Sequence, residues 1–151
     1  MIDAAFRCHI AGDPRGKGSV RVYNRRAVKD AATESYMARC IFAMRAARAG
    51  APPLTGALAL EITAYLRRPL ALVPKVGPRV RATQPPFGAF PAWVKPDVDN
   101  IAKIIADSLT QAGVIEDDAR IAHLVVGKWW APVGGEVGVD VWVARVAGAW
   151  P

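Results

Sequence analysis

The chain has 151 residues, a length that suits one domain burying roughly two-thirds of its unfolded surface. Hydrophobic residues make up 52% and charged residues 22%, which excludes a disordered or fibrous chain, and no apolar run is long enough to span a bilayer. Lysine and arginine outnumber aspartate and glutamate by 20 to 13; the net charge of +7 favours a polyanionic partner, and no segment joins a basic face to the strongly apolar one that a membrane surface requires.

Apolar Ala4, Phe6, Cys8 and Ile10 alternate over residues 3 to 10 and predict a first strand with one buried face. Gly12 to Gly18 follows, where three glycines and a proline exclude regular structure, and Ser19 to Tyr23 reads as a short extended piece. Lys17, Arg21, Arg25 and Arg26 flank this loop; they match no nucleotide-binding fingerprint and are read as phosphate contacts. From Asp30 to Ala49, Tyr36, Cys40, Ala43 and Ala47 recur at helical spacing with Gly50 as the stop. Strict alternation over Leu58 to Leu66 predicts a second long strand. Residues 68 to 92 carry six prolines and, with Arg67 at their edge, basic Arg68, Lys75, Arg79 and Arg81, so a mobile basic loop is expected, either a solvated insertion or a DNA-contacting arm. Asp99 as cap, Ile101, Ile104, Ile105 and Leu109 behind it, and Gly113 as stop place a second helix over about 100 to 112. Residues 120 to 130 and 137 to 145 read as strands joined through Gly134-Gly135. The order implies an α+β fold, a single domain with two helices packed on a mixed sheet. Cys8 and Cys40 lack the spacing of a zinc site or a disulfide framework and read as reduced and buried. Of Trp129 and Trp130, on opposite faces of a strand, at least one is expected in the core, and His123 is read as structural.

The densest chemistry lies in Lys95-Pro96-Asp97-Val98-Asp99-Asn100, followed by Glu116-Asp117-Asp118. If the extended backbone favoured before Pro96 continues, Asp97 and Asp99 point the same way, and two carboxylates that close call for a hard cation between them. Magnesium suits such an all-oxygen site, with manganese as a substitute. Asp118, returned by the chain reversal after the helix, is expected at the same end of the sheet. Lys103, four residues after Asp99, is placed to neutralise a phosphate, or alternatively to pair with Asp107. Taken singly, Asp99 also reads as a helix cap and Asp117-Asp118 as an acidic turn.

The run KPDVDNIAKIIADSL, then GVIEDDARI, then Lys128, resembles the RusA-like endodeoxyribonucleases, and Gly12, Pro14, Lys17 and Arg21 resemble that family's N-terminal basic loop. The resemblance implies a magnesium-dependent Holliday-junction resolvase acting on four-way DNA in recombination and repair. It implies a homodimer of phage or prophage type, working in the cytoplasm of a bacterial or phage-infected cell. It also implies Asp97, Asp99 and Asp118 as metal ligands and, together with Lys103, as catalytic residues. Lys95 and Lys128 join the cations expected on DNA. The competing readings are a non-catalytic nucleic-acid-binding module and, more distantly, a metal-dependent nucleotide hydrolase.

Overall fold

The computed structural model describes residues 5–18, 21–28, 30–78 and 84–147. Its elements are β1 (Phe6–Ala11), β2 (Arg21–Tyr23), β3 (Arg26–Val28), α1 (Ala31–Arg48), β4 (Leu58–Leu66), β5 (Phe90–Pro91), α2 (Val98–Gln111), β6 (Ile121–Trp130) and β7 (Gly138–Arg145). Short 3-10 turns occupy Leu70–Leu72 and Asp118–Arg120. The readings of Ala4, Ser19, Arg79 and Arg81, and of the Arg21 side chain, lie outside the described residues.

Strand register sorts the residues by face. The sheet runs β1-β7-β4-β6-β5, with β4 antiparallel to β7 and parallel to β6. Pairing aligns Cys8 with Val141 and Val141 with Ile62, then Ile10 with Val139 and Val139 with Ala64, all of them buried. The residues between them, Arg7, His9, Glu61 and Trp142, all reach solvent on the opposite face. There the Arg7 guanidinium lies 4.7 Å from the Trp142 ring centre and His9 Nδ1 is 2.6 Å from Asp140. A sheet sorted in this way needs cover on one side, and both helices supply it. In α2 the buried stripe is Ile101, Ile104, Ile105 and Leu109, as the spacing predicts. In α1 it is Tyr36, Cys40 and Met44, each four residues apart; Ala43 packs against the core beside this stripe while half-buried, and Ala47 is exposed.

Local signals set the helix ends. Asp30 caps α1, accepting from Ala32 N and from Thr33 Oγ1, and the helix ends at Ala49, itself left-handed at φ 50°. Gly113, at φ 70°, closes α2 and lets Val114 N return to Leu109 O. Both cysteines are free and buried; burial pushes the Cys40 thiol up to about 11 and also raises that of Cys8. No helix among the described residues is long and apolar enough to cross a membrane.

In the proline-rich segment the described residues, 68–78 and 84–92, are tied to the rest of the fold. Arg68 donates to the carbonyls of Ala131 at 3.0 Å and of Leu72, Pro86, Phe87 and Gly88, and its guanidinium lies 4.8 Å from the Phe90 ring centre. One planar cation with five donors therefore gathers both ends of the segment, and β5 then pairs with Trp129 and Trp130. Arg68→Ala leaves those carbonyls without their partner. It is expected to lower stability by about 1–3 kcal/mol and to open residues 69–91 to limited proteolysis, read by a thermal melt and a trypsin time course.

Candidate metal centre and nucleic-acid interface

Helix α2 starts at Val98, so the cap is Asp97 and not Asp99. Asp97 keeps an extended backbone at φ −72°, ψ 147°, two residues earlier than the spacing implied, and Asp99 falls inside the first turn. The two carboxylates are therefore neighbours at a helix end rather than on one side of a strand. Each has a lysine. Lys95 Nζ is 3.6 Å from Asp97 Oδ2, and Lys103 Nζ is 3.2 Å from Asp99 Oδ2. Lys103's hydrogen bond holds the Asp99 carboxyl below the usual range. Lys103 thus faces Asp99, and Asp107 pairs with Lys17 instead.

Asp97 makes no capping hydrogen bond. A carboxylate in that position normally accepts from the second or third helical N–H, so its side chain is left without the structural role that its position offers.

The basic loop docks on the same helix end. Lys17 N donates to Asn100 O at 2.9 Å, and the loop passes so close that a Cβ on Gly16 would lie 2.7 Å from Cβ of Asn100. Glycine is required there for close approach. Together Pro14, Arg15, Lys17, Lys95, Asp97 and Asn100 border an opening of about 400 Å³. Of the cations expected on DNA, Lys17 and Lys95 meet at this opening. Arg25 and Arg26 lie apart from it, on the β2–β3 hairpin, whose two-residue turn holds Asn24 and Arg25 at positive φ. Lys128 turns inward, donating to the carbonyls of Val94 and Pro96, at 3.1 Å to the latter, so it braces the Asp97 segment rather than pointing at solvent.

Asp118 is not brought to this place within one chain. It opens the 3-10 turn ahead of β6, whereas Lys128, which touches the Asp97 segment, is seven residues beyond Ile121, about 23 Å along a strand. The expectation that Asp118 reaches the same end of the sheet therefore fails for a single copy. In agreement, no group of three or more His, Cys, Asp or Glu side chains among the described residues is arranged to hold a metal ion.

The family model described as endodeoxyribonuclease RusA matches residues 11–142. The chain belongs to the RusA family. No curated protein matches it in sequence. As a RusA-family protein it is an endodeoxyribonuclease, a hydrolase of the class that resolves Holliday junctions, and such nucleases are generally dependent on a divalent metal.

The donor set fits a hard divalent cation. Asp97 and Asp99 offer only oxygen, both are exposed, and neither is held by a neutral hydrogen-bonding network that a cation would have to break. Sequence reading passed over Gly16, Arg15 and Asn100 as parts of this RusA site. Gly16 was visible only as one of several loop glycines, because nothing in the spacing says which of them touches the helix. Trp130 is buried, and Trp129 is partly exposed at the end of β6, as the alternation of a strand requires.

Proposed function

We propose that this protein resolves four-way DNA junctions as a homodimer, cutting phosphodiester bonds with magnesium held by Asp97, Asp99 and Asp118. The observation that carries the reading is the pair of exposed carboxylates at the start of α2, one without its capping bond, beside an opening rimmed by Arg15, Lys17 and Lys95. A module that only binds nucleic acid has no need to place negative charge where phosphates must approach. Held there, magnesium, or manganese in its place, would activate a water and offset the charge growing on the scissile phosphate. Arg15, Lys17 and Lys95 position the DNA backbone, Arg25 and Arg26 on the β2–β3 hairpin offer further cations away from the opening, and Lys128 holds the Asp97 segment from behind. Lys103, one turn into α2, is placed to meet a phosphate oxygen.

The homodimer accounts for Asp118. Among the described residues β6 has no neighbour on its outer edge from Ile121 to Gly127, and Leu124 and Val125 are about half exposed there. An open edge of this kind is a template for strand pairing. A second copy added antiparallel about a two-fold axis near Leu124 sets its Ile121 opposite Lys128, which brings Asp118 of the partner subunit to the Asp97 end of α2. Each site then draws on both chains. The whole chain is read as one such domain, serving recombination and repair of DNA in a bacterial or phage-infected cytoplasm.

The test is cleavage of a synthetic four-way junction by purified protein. Paired nicks across the branch that require magnesium or manganese are expected. Junction, flap and duplex DNA all left intact with either metal would reduce the protein to binding alone.

A further inference from the structure

Trp93 is 69% exposed, an unusual state for an indole held as firmly as this one. Its ring centre lies 6.2 Å from that of Phe90 and 6.2 Å from that of Trp130, edge-on to the latter at 88°. Trp130 is buried, and the Arg68 guanidinium lies 4.8 Å from the Phe90 ring centre. The backbone on both sides of Trp93 is pinned as well: Ala92 N donates to Lys128 O at 3.0 Å, and Lys128 Nζ returns to the carbonyls of Val94 and Pro96. The order Arg68, Phe90, Trp93, with Trp130 beneath, is a supported aromatic platform whose outermost member faces solvent. Packing alone does not account for it, because an indole that completed a core would be covered. Asp97 follows only four residues later, and Lys95, side chain 89% exposed, lies between them.

We infer that Trp93 is a positioning residue that stacks on the base face laid open at the branch of a DNA junction, and so helps this enzyme to tell branched from linear DNA. Along a linear duplex each base pair is covered above and below by its neighbours, and an indole finds no free face without unstacking one. At a branch the continuous stack is interrupted. A rigid aromatic ring beside the cleavage site gains a stacking partner there and nowhere along an intact helix. Lys95 would meet the phosphates of the same nucleotide. The inference rests on the proposed action on junctions and adds the group that reads the branch.

The experiment uses the full-length protein, calcium in place of magnesium to prevent cutting, and two probes of equal length: a four-way junction and a linear duplex. Each carries 2-aminopurine, at the branch point in the first and mid-helix in the second. Trp93→Ala is expected to weaken junction binding by about tenfold and leave duplex binding unchanged. It should also abolish a change in 2-aminopurine fluorescence that the wild type produces only at the branch. Trp93→Phe, which keeps a stacking face, should restore most of both. Circular dichroism and sedimentation show that each variant is folded and in the wild-type oligomeric state. Trp93→Ala that binds junction as tightly as wild type, that loses junction and duplex alike, or that changes the oligomeric state instead overturns the inference while leaving the junction-resolving activity standing. A wild type that shows no preference for the branched probe removes both.

Discussion

Asp99→Asn is expected to lower the rate of junction cleavage by about a thousandfold or more, while junction binding persists. The amide has the size and hydrogen-bonding reach of the carboxylate but no charge, so it cannot compensate a hard dication, and stability should hardly change at an exposed position. Asp97→Asn is expected to match it. Asp97 makes no capping bond that could be lost, so a loss of activity there is not explained by unwinding of α2. Binding in calcium should hold or tighten, because each change removes negative charge from a surface that phosphates approach. Lys103 loses its partner in Asp99→Asn, and the displaced ammonium is one more cation offered to DNA. Single-turnover cleavage in magnesium, set beside a gel-shift titration in calcium, reads both quantities. Full activity in both variants would return the two aspartates to ordinary helix-end residues and end the case for a metal at α2.

What could be read from residue order alone follows the strength of periodic signals. β4 and the buried face of β1 were visible because alternation over six or more residues has one physical meaning, a sheet with one face covered. The β2–β3 hairpin was not. Its strands are three residues each, and its turn places Asn24 and Arg25 at positive φ, where glycine would have been the signal. β5 escaped notice because one of its two residues is proline, which is tolerated at such a place but never announces a strand. Arg68 illustrates a different failure. In a run of prolines and cations it reads as one more solvated charge, and only the fold reveals that backbone carbonyls distant in sequence converge on it. The start of α2 was misplaced by two residues because Asp97, Asp99 and Asn100 are all good caps, and side-chain type cannot choose among them. The aspartates stand out in residue order, but how they are placed relative to one another does not. Whether a carboxylate after a helix returns to the helix's start depends on which end of β6 is aligned with it, and that is decided by the pairing of β6 with β4.

The separation of Asp118 from Asp97 leads to a second large effect, visible only in mixtures. In the proposed homodimer, Asp97→Asn and Asp118→Asn proteins should both be inactive alone, yet a one-to-one mixture, allowed to exchange subunits, should recover roughly a quarter of wild-type nicking. Half of the dimers in such a mixture are heterodimers. In each, the chain with intact Asp97 meets the intact Asp118 of its partner and forms one complete site, while the other site lacks both carboxylates. If every site lay within a single chain, both chains would remain defective in every pairing and the mixture would stay silent. Recovered activity should also consist of single nicks without the matching cut on the opposite strand, because one site per dimer cannot cut twice across the branch. A charged residue at the open edge supplies the control. Leu124→Lys keeps Asp97, Asp99 and Asp118 intact but places like charges near the two-fold axis, and it should lower both dimer content and cleavage. Recovery in the mixture and loss on blocking the edge would together locate the site across two copies of β6; recovery without an effect of Leu124→Lys would keep the shared site but move the interface elsewhere.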